Sequence, residues 1–228
     1  MSYTNGLDKP TDYFNTKLYT GNGSTNAITG VGFQPDWTIC KARSYNDSHF
    51  VFDAVRGATK HLQTNSTSAE VTNANSLTAF GSDGFTLGSD GGANSNGDTY
   101  ASWNWLGANG TASNSNGSIT STVSANTTAG FSIVSWTGNG SNGATIGHGL
   151  GVTPAIVITK RRSAVGDWLV GGSLIDTVRG GANSLLLLNT TAAMDSNSEV
   201  YQTFSSTTFQ VGTNEYANTS GSTMISYC

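Results

Sequence analysis

The sequence predicts an all-β fold: two tandem antiparallel β-sandwich modules, jelly-roll or lectin-like, produced by an internal duplication. Three observations carry this reading. Thr, Val, Ile and aromatic residues alternate with polar ones between clusters of Gly, Asn and Ser; no segment sustains a helical period; and the phrases of the first half return in order in the second. A chain of 228 residues is long enough for one or two domains with a buried core.

Composition removes several classes. Disordered chains lack aromatic residues and carry more charge, whereas here 5 Trp, 8 Tyr and 9 Phe sit at spaced positions and only 11% of residues are charged. A net charge of −4 and a pI of 5.1 argue against a nucleic-acid partner. The one basic run, Lys160-Arg161-Arg162, ends a predicted strand and reads as a solvated edge. No stretch approaches the roughly 20 apolar residues of a membrane span. The opening MSYTNGLDKPTDYF has neither the basic nor the apolar region of a signal peptide, so neither membrane insertion nor an export leader is expected. Cys40 and Cys228 are too few for a disulfide framework and lack a CxxC partner, so both are expected to stay reduced.

The duplication sets the elements in order. FNTKLYTGNGS from Phe14 aligns with FSIVSWTGNGS from Phe131, and PDWTICKARS (35–44) with PAIVITKRRS (154–163). DAVRG (53–57) meets DTVRG (176–180), Asn65 meets Asn189, Phe80 meets Phe204, FTLG (85–88) meets FQVG (209–212), and NGDTYASWN (96–104) meets SGSTMISYC (220–228). Strands are predicted in copy one near 13–20, 26–33, 36–43, 49–54, 59–65, 76–80, 84–88 and 98–105. In copy two they fall near 131–137, 143–150, 154–161, 167–176, 184–190, 200–204, 208–211 and 222–228. The organisation follows: an N-terminal arm (1–12), repeat 1 (13–106), a flexible linker (107–118, GANGTASNSNGS) and repeat 2 (119–228), where ITSTVSANTTAG could add a strand and turn.

The glycine-rich phrase TGNGS occurs in both copies. GNGSNG at 138–143 satisfies GxGxxG, but that fingerprint has meaning only between a strand and a helix. Another glycine-broken strand region follows it, and the sister GNGSTN at 21–26 lacks the third glycine. A β-turn is the plain reading, because Asn-Gly pairs supply the positive φ of tight hairpins.

The candidate site residues are few. In DxVRG, Asp53 with Arg56 and Asp176 with Arg179 could bind a carboxylate or sugar, or tie a turn together; recurrence once per repeat favours architecture. Asp83, Asp90 and Asp98 invite a test for glycoside hydrolysis or calcium, but copy two replaces them with Thr207, Asn214 and Ser222. His49, His61 and His148 are scattered without metal spacing, and no serine sits in a GxSxG elbow. No catalytic, cofactor-binding or metal residue is therefore assigned. Trp168, which has no aromatic counterpart in copy one, is the candidate ligand contact. Leu185, Leu186, Leu187 and Leu188 cannot all face one core and mark a candidate subunit or module interface.

Taken together, YFNTKLYTGNGS, GFQPDWTICKARS, DAVRGATKHLQTN, LTAFGSDGFTLGSD and YASWNWLGANGTASNSNGSITSTVSANTTAGFSIVSWTGNGS resemble the repeat proteins common in genomes of tailed phages, marine ones especially. The resemblance covers essentially the whole chain and is most specific in D-x-V-R-G and S-D-G-F-x-L-G. It implies an external virion component, structural or tail-fibre in type, with lectin-like β-sandwich modules, and offers no catalytic residues or cofactor to carry over. It also implies a homo-oligomer, contact with other virion proteins, and a host surface glycan as a further partner. Synthesis in the host cytoplasm without a leader suits such a protein, and the arm 1–12 suits a docking segment. Capsid decoration and a carbohydrate-binding receptor module are the alternatives, with glycan hydrolysis the weakest. Related proteins run on into another repeat after a phrase like MISYC, so the chain is expected to be part of a longer protein or to need a partner at that edge.

Overall fold

Strand β1 (Phe14–Thr20) shows how the sequence builds the fold: Thr16, Leu18 and Thr20 are exposed, while the residues between them turn inward. That period of two repeats along the chain and leaves one face of each strand for a core. The computed structural model describes residues 9–228, so residues 1–8 of the predicted arm lie outside the described residues. A single 3₁₀ turn, Pro10–Asp12, leads into β1.

The chain divides into two units. Unit 1 comprises the residues up to Thr64 together with Glu70–Gly110; unit 2 comprises Thr111–Cys228 together with the five residues Asn65–Ala69. Unit 1 contains β1, β2 (Asn26–Thr29), β3 (Trp37–Ala42), β4 (His49–Asp53), β5 (Lys60–Gln63), β6 (Val71–Thr72), β7 (Leu77–Gly81), β8 (Gly84–Leu87), α1 (Gly91–Asn94) and β9 (Thr99–Trp105). Its strands form a six-stranded sheet in the order β1-β9-β3-β4-β5-β6 and a three-stranded sheet β2-β8-β7. Ile28, Leu77, Phe85 and Leu87 from the smaller sheet meet Cys40, Phe50 and Phe52 from the larger one, which makes a two-sheet sandwich.

Unit 2 repeats the plan with β10 (Ala112–Asn114), β11 (Ser121–Asn126), β12 (Phe131–Thr137), β13 (Ala144–Gly147), β14 (Val157–Arg161), β15 (Trp168–Gly171), α2 (Ser173–Arg179), β16 (Ser184–Leu187), β17 (Asp195–Ser196), β18 (Tyr201–Phe204), β19 (Thr208–Val211), α3 (Glu215–Asn218) and β20 (Thr223–Tyr227). Its large sheet runs β10-β11-β12-β20-β14-β15-β16-β17, and β13-β19-β18 covers it. The segment β12-β20-β14-β15-β16-β17 reproduces the large sheet of unit 1 strand for strand, with the hairpin β10-β11 added outside β12. Val134, Trp136, Val157, Leu169 and Met224 of the large sheet pack on Ile146, Tyr201, Phe209 and Val211 of the small one. Every strand pair between named elements is antiparallel. The fold is all-β and sandwich-type, as the alternation predicts.

Several stretches differ from the sequence reading, among them the strands expected over 143–150 and 184–190, which end at Gly147 and Leu187. Residues 107–118 are not an unstructured connection throughout, because Ala112–Asn114 pair with Ser121–Val123. The strand expected over 26–33 stops at Thr29, where Gly30 and Gly32 take positive φ and donate their N–H groups to Asp83. The strand expected over 167–176 stops at Gly171; Gly172 turns the chain at φ 132 into helix α2.

Candidate functional site

The repeated TGNGS phrase is clamped in both units by one buried asparagine on a four-residue helix. In unit 1, Asn94 accepts the Asn22 N–H through Oδ1 at 3.0 Å and donates Nδ2 to the Ser24 and Gly88 carbonyls at 2.6 and 2.7 Å. In unit 2, Asn218 accepts the Asn139 N–H at 3.0 Å and donates to Ser141 and Gly212 at 2.9 and 3.0 Å. A Cβ on Gly21 or Gly138 would run into the carbonyl oxygen of Ser95 or Thr219, so glycine is needed there for close backbone approach. The glycine, asparagine and serine N–H groups of TGNGS are engaged within the protein in both units, which leaves that phrase no donors for a phosphate.

The two DxVRG motifs take different structures. In unit 1, Asp53 is fully buried and accepts the Arg56 backbone N–H at 2.7 Å, while the Arg56 Nε pairs with the second carboxylate oxygen. The Arg56 guanidinium also donates to Val51 O at 2.9 Å and to Glu70 at 3.2 Å. In unit 2, the motif lies on helix α2: Asp176 accepts the Ser184 N–H at 2.8 Å, Gly180 caps the helix in the left-handed region, and Arg179 is exposed. Glu70 aligns with Met194, so copy two has no second carboxylate for its arginine. His61 aligns with Leu185, which packs against the apolar core of unit 2.

The placement of Trp168 corrects its reading as an exposed ligand contact. Its side chain is fully buried and stacks on Tyr227 at 6.4 Å, on the face of the sheet that also carries the buried Lys160, opposite the face on which Leu169 meets the core. The exposed tryptophan is Trp103, at 36%. The four leucines divide as their alternation requires: Leu185 and Leu187 pack against the core, while Leu188 is 48% exposed and Leu186 half-buried.

Asp83 and Asp98, read as candidate ligands, each have a partner of their own, whereas His61 lies within electrostatic reach of Asp90, Arg56 and Glu70. Asp83 accepts from Gly30 and Gly32, and those two N–H groups hold its carboxyl below the usual range. Asp98 accepts the Ser44 hydroxyl at 2.8 Å. His61 lies edge-on to Phe50 and Phe52, and burial pushes its pKa down; burial does the same to His148, which contacts Ser205 O. Among the described residues no group of three or more His, Cys, Asp or Glu side chains could hold a metal ion.

The profile of a family described as a domain of unknown function, DUF7483, matches residues 9–228. The chain belongs to the DUF7483 family. No curated protein and no solved structure matches it.

Within this DUF7483 chain one feature had no sequence signal. Lys160, on β14, is fully buried, and its Nζ donates to the carbonyls of Thr67 at 3.1 Å and Arg161 at 3.0 Å. The same Thr67 carbonyl accepts the Gly166 N–H at 2.9 Å. Burial pushes the Lys160 ammonium down to about 8, with Arg161 adding repulsion and Asp167 partly opposing both. A polar loop of the first sequence copy, Asn65–Ala69, is thus built into unit 2 through one carbonyl held by two donors. This corrects the reading of Lys160-Arg161-Arg162 as a solvated edge, since Lys160 is buried; its partner lies 93 residues away and contributes a backbone atom, which has no residue signature.

Proposed function

We propose that this DUF7483 chain is a non-enzymatic structural protein of a tailed-phage virion, part of a tail fibre or similar appendage that takes part in host attachment. The observation that carries the reading is that the repeated TGNGS phrase is built into architecture in both units, clamped by Asn94 and Asn218. A repeated phrase that serves folding in each copy is the mark of a stacked building block. The low-charge Ser/Thr/Asn/Gly composition and the resemblance of the whole chain to tailed-phage repeat proteins support the same conclusion. In this reading its partners are other virion proteins and further copies of itself, with a host glycan as a target of the assembled appendage.

The test is antibody labelling of particles by electron microscopy. Label on the tail supports the appendage; label spread over the head replaces it with capsid decoration; unlabelled particles remove the virion reading altogether.

A further inference from the structure

The two units carry one surface twice, once covered and once open. In unit 2 the surface around Lys160 is closed: Lys160 and Ile133 are 0% exposed and Tyr227 is 2% exposed, and the Asn65–Ala69 loop lies over the lysine. The strand alignment places Lys41, Thr16 and Trp103 at the same three positions of unit 1. There, Lys41 is half-buried, Thr16 is exposed and Trp103 is 36% exposed, with Leu18 beside them at 65%. The Lys41 Nζ donates to Ala42 O at 3.2 Å, as Lys160 does to Arg161 O, but no counterpart of the Thr67 carbonyl reaches it. Near each lysine a side chain reaches the first residue of the short helix, though from different positions: Arg161, at the end of β14, donates to Glu215 O, and Tyr45, in the loop after β3, donates to Gly91 O. Unit 1 therefore holds an open copy of the socket.

Unit 2 holds an open copy of the plug. Asn65 aligns with Asn189, so Ser66, Thr67 and Ser68 correspond to Thr190, Thr191 and Ala192. The bend that presents the Thr67 carbonyl is a hydroxyl turn in which Ser66 Oγ accepts the Ser68 N–H at 3.1 Å. Thr190 Oγ1 accepts the Ala192 N–H at 3.2 Å, which makes the same turn. Residues 190–193 are exposed.

We propose that the Asn189–Ala193 loop of one copy seats on the Lys41–Trp103 surface of a second copy, so that molecules join head to tail. The occupant is a second copy of this chain, because plug and socket each have a seated counterpart within unit 2. Such a contact is heterologous: it leaves one open plug and one open socket at every step, and yields a ring or an extending filament rather than a two-fold dimer. The inference does not depend on where the protein resides. Within the chain the seated loop is covalently tethered and benefits from a high effective concentration; between chains the same contact lacks that advantage and is weaker.

The test is sedimentation and light scattering of the full chain up to about 1 mM. Wild-type mass should rise with concentration. Lys41→Met or Trp103→Glu on the socket side, and Thr191→Trp on the plug side, should each raise the apparent Kd at least about tenfold; all three positions lie at the surface, and circular dichroism verifies folding. An equimolar mixture of Lys41→Met and Thr191→Trp retains one compatible plug and socket, so it should associate and stop at the dimer. A wild type that stays monomeric at all concentrations overturns the proposal. So does association that these substitutions leave unchanged, or a mixture no larger than its components.

Discussion

Asn94 and Asn218 make the same clamp in the two units, each donating to two carbonyls and accepting a loop N–H across more than 70 residues of chain. Their residues are 1% and 0% exposed, so removing either amide strands buried carbonyls and an N–H without water. Asn94→Ala and Asn218→Ala should each cost about 3 kcal/mol in urea unfolding. Asn→Asp should cost at least as much, since a carboxylate cannot donate to the two carbonyls. Losses under about 1 kcal/mol in both variants would remove the clamp as the reason for the repeated phrase.

Arg56 and Arg179 should separate sharply, although their motifs read alike. Arg56 is buried against Asp53 and Glu70, and truncating it leaves a fully buried carboxylate uncompensated. Arg56→Ala should therefore cost about 3–5 kcal/mol, whereas Arg179→Ala on the exposed end of α2 should change stability by less than about 0.5 kcal/mol. Equal effects in thermal unfolding would contradict the two structures assigned to the motif.

These contrasts mark what the sequence could reveal. The β class, the strand positions and the duplication were legible because alternation is local and survives in each copy: 131–137 and 208–211 match β12 and β19 at both ends. The short helices α1 and α3 were not legible, since four residues carry no helical period. Helix α2 was hidden because DTVRG copies a motif that forms a turn in unit 1, and the four residues inserted before it, Gly172 to Ile175, have no counterpart to compare. Trp168 misled because a residue without an aromatic counterpart looked free of packing; it is buried beside Lys160 and against Tyr227, residues distant in sequence that only the sheet register brings to it. Lys160 could not be found because burial and a distant carbonyl make the site.

Cys40 should be chemically inert. Burial pushes its thiol from 9.0 up to about 12, leaving about one thiolate in 10⁴ at pH 8. Because the folded value lies above the unfolded one, this thiol's contribution to stability is intact below pH 9 and lost as pH rises towards 12. Native protein at pH 8 should resist alkylation at Cys40 and react only after denaturation in urea, as read by peptide mass spectrometry. Labelling at the rate of a free thiol would show that the core of unit 1 opens readily.

Lys160 provides the clearest pH signature. Its ammonium is displaced from 10.5 to about 8, a difference of about 3 kcal/mol between charged and neutral forms. The folded value lies below the unfolded one, so between pH 8 and 10.5 the unfolded chain binds more protons and this residue makes stability rise with pH. The buried thiols and tyrosines oppose the trend above pH 9, where their raised values cost stability. The difference between wild type and Lys160→Met cancels those shared terms. Wild type should gain about 3 kcal/mol on the variant between pH 7 and pH 10.5 in urea unfolding. Two parallel curves would mean that the ammonium is not held out of water beneath Thr67.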